Sequence, residues 1–383
     1  MNEDKATRYH RLKRWAGVLA VAWNVSLLVL LAATGWTATL RDVAAGAACG
    51  VTSPAWQHAL TVLVYVALLA AVNELGGLPL AFYSGFLLER RYQLSTERFS
   101  SWMRDQAKAS GIGLVLAGTA AELIYWLMRQ SPRDWWLPAG LISAILMVGL
   151  TNLAPVLLLP LFYPIKPLEH ETLRRRLLTL ADRAGARVLG AYECGVAGKT
   201  RRANAALAGI GATRRILVSD TMLADYSDDE IEVVLAHEMA HHVHGDIWKG
   251  LALQSGVILG GLYLAAELLR RLSGPAGLRG VEDVAGLPLL LLALGAVSIV
   301  VMPAAHAMSR RYERKADRFA LDLTRNPSAF VSAMRRLSAQ NLAEDNPSRL
   351  VQWLFYSHPP IRERIAAAET FRSSSLRLPI ADC

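Results

Sequence analysis

The sequence is short of charge and of cysteine, and each shortage closes off a class of protein. Only 19% of its 383 residues are charged, against 53% that are apolar, a balance too apolar for a water-soluble enzyme of this size. The three cysteines, Cys49, Cys194 and Cys383, are too few and too scattered for a disulfide framework. No internal repeat or low-complexity tract is present, which sets aside solenoids and disordered linkers. The lipid bilayer remains, and a mean hydropathy of +0.27 agrees with it.

A helix crosses a bilayer with roughly 20 apolar residues. Such runs lie near 16–36, 59–88, 109–128, 136–162, 249–269 and 284–308, so about six spans are expected. The first is long for the core of a signal peptide and is read as a span. The chain then divides into a membrane region of four spans (1–164), a water-compatible segment (165–248), two further spans (249–308) and a tail (309–383). The net charge of +9 collects beside span ends rather than in a nucleic-acid patch. Lys5, Arg8, Arg11, Lys13 and Arg14 precede the first span. Arg90, Arg91, Arg98, Arg104 and Lys108 follow the second, and Arg310, Arg311, Arg314 and Lys315 follow the sixth. The opposite side has only Arg41 in the loop expected after the first span, with Arg270, Arg271 and Arg279 in the loop between the fifth and sixth. The positive-inside rule therefore puts both water-compatible stretches in the cytoplasm, with Cys194 and Cys383, and leaves Cys49 outside.

Glu74, Glu122 and Asn152 fall within or near apolar runs, where polar groups face a bundle interior, a wet cavity or a neighbouring helix. The soluble segment reads as a helix over 169–184 and short strands over 186–194, 203–210 and 215–219. Ser227 and Glu230 have the spacing of a capping box. The helix they open is expected to run unbroken into the fifth span.

That helix carries His237, Glu238 and His241. At about 3.6 residues per turn the two imidazoles share a face and can grip one zinc ion, while Glu238 is rotated by about 100° toward a water that the ion would acidify. A catalytic zinc needs a third protein ligand and an open position. Glu313, where the sixth span should continue as a helix, is the candidate, and Asp317 one turn later could orient an imidazole. His244 and Asp246 lie beyond the histidine pair; His242 and His244 read as exposed helix-end residues.

The run from Ala236 to Asp246 and the run from Ser309 to Asp317 resemble the two metal-binding segments of the type I CAAX prenyl endopeptidases and their heat-shock-related bacterial relatives, membrane gluzincin proteases. Gly77-Leu78-Pro79, Leu153-Ala154-Pro155, Pro160-Leu161-Phe162, Pro167-Leu168, Ser357-His358-Pro359-Pro360 and Arg364-Ile365 extend the resemblance over roughly residues 60–370. It implies that Glu313 is the third zinc ligand and that His358 polarises the scissile carbonyl or stabilises its oxyanion. It also implies that Asn204 stands on an edge strand along which an extended peptide lies. Ala206 occupies a position where that family usually has an aromatic residue. A large membrane chamber is expected by the same resemblance.

The expected fold is mainly α: a polytopic helical membrane protein with a small cytoplasmic α+β zinc metalloprotease domain. Its expected function is hydrolysis of peptide bonds in extended substrates, either prenylated C termini or membrane-protein segments, at one zinc ion. The partners are a peptide or protein substrate and the bilayer, without nucleic acid. Two other readings fit less well. A site-two type intramembrane protease would bury the histidine motif in an apolar helix, but Asp228 to Glu232 and His242 to Asp246 flank it with polar residues. A transporter, channel or inactive scaffold would use Glu74 and Glu122 as pathway residues and make both metal segments coincidental.

Overall fold

The computed structural model describes residues 4–209 and 214–375; Ile210 and Cys383 lie outside them. In the first half, α1 (Lys5–Thr34), α2 (Trp36–Ala47) and α3 (Pro54–Phe82) are followed by a π-turn at Tyr83–Leu87 and the short α4 (Leu88–Arg91). Pro79 removes a backbone donor inside α3 just before that turn. α5 (Phe99–Gln130), α6 (Trp136–Leu157) and α7 (Leu159–Phe162) complete the region.

The soluble segment holds β1 (Ile165–Pro167), α8 (Glu171–Arg183), β2 (Gly190–Cys194), β3 (Ala205–Ala208), β4 (Arg215–Ser219), α9 (Asp220–Asp225) and α10 (Asp228–Val243). Then come α11 (Asp246–Leu272), α12 (Leu287–Thr324), α13 (Pro327–Asn341), α14 (Arg349–Phe355) and α15 (Ile361–Ser375).

Among the described residues six helical stretches are long and apolar enough to cross a membrane: Lys5–Thr34, Pro54–Arg91, Phe99–Gln130, Trp136–Leu157, Asp246–Leu272 and Val284–Thr324. They match the six expected spans. Their inward faces meet through Tyr65, Leu69, Tyr125, Met128, Ala139, Leu262, Ala265 and Leu290. Outward residues such as Ile145 and Val300 are 71% and 79% exposed, a pattern that suits hydrocarbon rather than water. Glu74 is exposed rather than packed among the helices. Asn152 donates to the Val148 carbonyl of its own helix at 2.6 Å, and Glu122 Oε1 is buried with no hydrogen-bond partner among the described residues.

Two expectations need correction. The segment after the first span is not a loop. It folds as α2, whose buried Arg41 donates to Asp283 at 2.5 Å. The helix bearing the two histidines does not continue into the fifth span either. It ends at Val243 with His244 as its cap, and Gly245 turns the chain at φ +68° before α11 begins at Asp246. Glycine is the residue that takes up this left-handed conformation at low cost.

The four strands form a mixed sheet in the order β1-β2-β4-β3. β2 and β4 run parallel; β1 and β3 pair antiparallel to their neighbours. β3 is therefore an edge. Leu173, Leu177 and Leu180 on one face of α8 pack with Ile216 and Val218 of β4, Val233 and Met239 of α10, and Phe330 and Met334 of α13. Burying each large apolar side chain contributes on the order of 2 kcal/mol, so this core fixes α10 against the sheet.

Candidate active site

α10 starts where the sequence predicts. Ser227 Oγ accepts from the Glu230 amide at 3.3 Å, and the Ser227 amide donates back to Glu230 Oε2 at 2.8 Å. Asp228, Asp229 and Glu230 fill the positive end of the helix, and His241 and His242 the negative end. One face of its last turns presents His237 and His241, with ring centroids 5.1 Å apart.

The third group arrives on α12, a single 38-residue helix that begins apolar and ends charged. Its Glu313 carboxylate lies between the imidazoles: Oε2 is 3.3 Å from His237 Nε2, and Oε1 is 3.4 Å from His241 Nε2. One ligand atom from each of His237, His241 and Glu313 lies within 4.8 Å of the others. Glu313 Oε2 is buried with no hydrogen-bond partner among the described residues, its imidazole neighbour being His237 Nε2, so the site holds a buried anionic oxygen suited to a cation. Two imidazole nitrogens and a carboxylate oxygen form a donor set that fits a divalent cation.

Both histidines are oriented from behind in the same way. Asp317 accepts from His237 Nδ1 at 2.9 Å and is held by Arg364 through Nε at 2.9 Å and Nη2 at 2.5 Å. Asp246 accepts from His241 Nδ1 at 3.2 Å and is held by Lys249 Nζ at 3.0 Å. These contacts fix the tautomers with Nε2 free to face Glu313. Burial disfavours charge on His237, but Asp317 and Glu313 outweigh it and raise the pKa to about 9. Burial also holds the Glu238 carboxyl above its usual range, although His237 and His241 pull it down.

His358 reaches the same carboxylate. Its Nε2 is 3.3 Å from Glu313 Oε1, and its Nδ1 is 2.9 Å from Ser357 Oγ. The structure thus brings together His237, His241, Glu313, Asp317 and His358, with Glu238 on the same turn of α10. Asn204 belongs to another element. It is exposed at the opening of β3, and its backbone exchanges hydrogen bonds with Ser219.

The sequence reading set aside Asp246 and gave no role to Arg364. Gly245 carried the missing signal for Asp246, because the turn folds the aspartate back toward His241. His242 and His244 are half-buried rather than exposed: His242 Nε2 donates to the Leu207 carbonyl of β3 at 2.9 Å, and His244 packs on Phe319.

The site's organisation has counterparts in known proteins. Residues 2–164 match the CAAX prenyl protease N-terminal region, described as five membrane helices. An uncharacterised Bacillus subtilis metalloprotease, YhfN, is 35% identical over 309 residues, covering 80% of this chain and 72% of that protein. CAAX prenyl protease 1 of Saccharomyces cerevisiae is 25% identical over 332 residues, covering 80% of this chain and 72% of its own. The crystal structure of S. mikatae Ste24p has the same fold, with a TM-score of 0.83 at 23% identity over 95% of this chain and 87% of that one. Residues 167–372, which hold the histidine pair, Glu313 and His358, match peptidase family M48. The chain accordingly belongs to peptidase family M48 and is a multi-pass membrane metalloendopeptidase that resembles the CAAX proteases.

Proposed function

We propose that the metal is zinc, that the site faces the cytoplasm, and that the substrates are extended peptide segments, prenylated C termini foremost. The observation that carries this reading is the convergence of His237, His241 and Glu313 from two helices around a buried carboxylate oxygen suited to a cation. Bound zinc would supply Lewis acidity, polarising the scissile carbonyl and acidifying water.

The chain's own residues do the rest. Glu238, with its raised pKa, takes a proton from the attacking water and returns it to the leaving amine. His358 donates a hydrogen bond to the oxygen on which negative charge develops. Asp317 and Asp246 hold the two imidazoles in their ligating tautomers. The peptide lies along β3 beside Asn204. In its pairing with β4, the Ser219 amide donates to the Asn204 carbonyl and the Asn204 amide donates to Ser219 Oγ, so alternation turns the amide and carbonyl of Ala205 and Leu207 outward. His242 already occupies the Leu207 carbonyl, which leaves Ala205 as the principal rung for substrate.

Prenylated substrates are favoured by the names of the relatives, which include CAAX prenyl protease 1. A backbone rung does not read side chains, and that favours a second class, unfolded segments of membrane proteins. The cytoplasmic placement is supported by the basic residues beside the second and sixth spans. The decisive experiment purifies the protein in detergent, measures bound zinc, and compares cleavage of prenylated peptide, unprenylated peptide and casein by the native form and Glu238→Gln. One zinc per chain and a loss of roughly 1,000-fold in kcat are expected for the variant. Absent zinc, or equal proteolysis by both forms, would overturn the reading.

A further inference from the structure

His358 occupies an awkward place. Its side chain is 60% exposed, yet it must meet a Glu313 carboxylate that is only 6% exposed. The segment that delivers it, 342–360, links α13 to α15, and α14 is its one regular element. Such a segment has little of its own to hold a side chain within hydrogen-bonding distance.

The support comes from the far end of the chain. Arg14, near the start of α1, donates through Nη1 to Glu344 Oε2 at 2.5 Å and to the Tyr356 hydroxyl at 2.9 Å. The Tyr356 hydroxyl donates to Glu344 as well. Glu344 opens the segment and Tyr356 stands two residues before His358, so one guanidinium ties its beginning to its end. The Glu344 side chain is 5% exposed, and a buried carboxylate without its cation is strongly unfavourable. One turn earlier on α1, His10 Nε2 donates to the Leu342 carbonyl at 2.8 Å. From α12, Arg310 donates to the Tyr356 carbonyl at 2.6 Å and the Gln352 carbonyl at 3.0 Å. Arg310 is three residues from Glu313, so His358 and its target hang from a shared frame.

We propose that Arg14 is a positioning residue for His358, through which the first membrane helix takes part in catalysis. It touches neither substrate nor metal. Its effect passes through Glu344 and Tyr356 to the backbone that carries the imidazole. The proposal rests on the role given to His358 above. In Arg14→Ala the strap opens, and His358 spends most of its time away from Glu313.

The test uses the full-length, zinc-loaded protein in detergent and a quenched fluorescent peptide. kcat, KM and bound zinc are measured for Arg14→Ala, Arg14→Lys and Tyr356→Phe, each alone and combined with His358→Ala. The expected result is a roughly tenfold fall in kcat for Arg14→Ala, with KM and zinc content unchanged, because small misplacements of a reacting group cost rates of this order. Arg14→Lys restores part of the loss. Tyr356→Phe keeps the ring, removes only the strap's hydroxyl and falls in the same direction; it preserves the test should Arg14→Ala fail to fold. In the His358→Ala background neither change lowers kcat further. Equal fold-losses in both backgrounds would overturn the Arg14 proposal and leave His358 standing. Full activity of His358→Ala would remove both.

Discussion

His237 and His241 are each backed by a carboxylate that is itself held by a cation, and this repetition says what removing one layer should do. Asp317→Asn keeps the size of the side chain but loses the charge that fixes His237 Nδ1 and pairs with Arg364. Zinc affinity should fall by about 10–100-fold, measurable by competition with a fluorescent chelator; unchanged affinity would show that Asp317 does not orient the ligand. The raised pKa of His237 predicts a pH effect. In protein stripped of metal, its protonated form adds stability that is complete below the ordinary value of 6.5 and is lost as pH rises through about 9. A cation must displace that proton, so apparent zinc affinity should climb with pH up to about 9 and then level off. An affinity flat across the neutral and alkaline range would contradict the assignment. At this scale the sequence pointed to most of the residues that the structure gathers into the candidate site, because fixed helical spacing places His237 with His241, and Glu313 with Asp317. It did not reveal Asp246, whose position depends on a turn, or the orienting part of Arg364, which comes from a helix remote in sequence.

The turn at Gly245 is where one element becomes another. Its φ is +68°, and a Cβ built there meets nothing within 4 Å, so the cost of Gly245→Ala is purely conformational, about 1–2 kcal/mol. The variant should unfold at lower temperature and bind zinc more weakly, because the same turn brings Asp246 to His241. Gly245→Asn, whose side chain tolerates the left-handed region, should recover most of both losses. Wild-type zinc affinity in Gly245→Ala would separate the turn from the metal centre. Elements with a local signal were visible in advance, among them the Ser227 capping box, the six apolar runs and the cores of β2, β3 and β4. β1 was missed because its three residues carry no alternation, and α2 because an amphipathic helix of twelve residues beside a span looks like a connecting loop. The break before α11 was overlooked because polar residues run on both sides of the glycine.

Across the whole molecule, the arrangement of basic residues predicts which side of the bilayer each part meets. Cys49 is exposed beyond the end of α2, whereas Cys194 is buried in the sheet. A membrane-impermeant maleimide applied to intact cells should therefore label Cys49, and labelling should vanish in Cys49→Ala. In a background with Cys194 and Cys383 replaced by Ala, labelling that appears only after permeabilisation would invert the proposed orientation. The six spans were legible because hydrophobic length is a property of the chain alone. The convergence of α10, α12 and the tail on one site, with α1 packed behind the tail, is a property of packing, which no local pattern records.

α12 runs without a break from the apolar stretch that begins at Leu287 to the carboxylate of Glu313 and beyond. At about 1.5 Å of rise per residue, it acts as a rod whose height is set by the hydrocarbon it crosses. The two imidazoles ride on α10, on the far side of the Gly245 hinge from α11. Such a rod answers to bilayer thickness by tilting or shifting, and α10, which packs along α12, is tied to it. One helix therefore carries both a surface for acyl chains and a donor of the cation-binding cluster, so the bilayer is part of the frame on which that cluster is built.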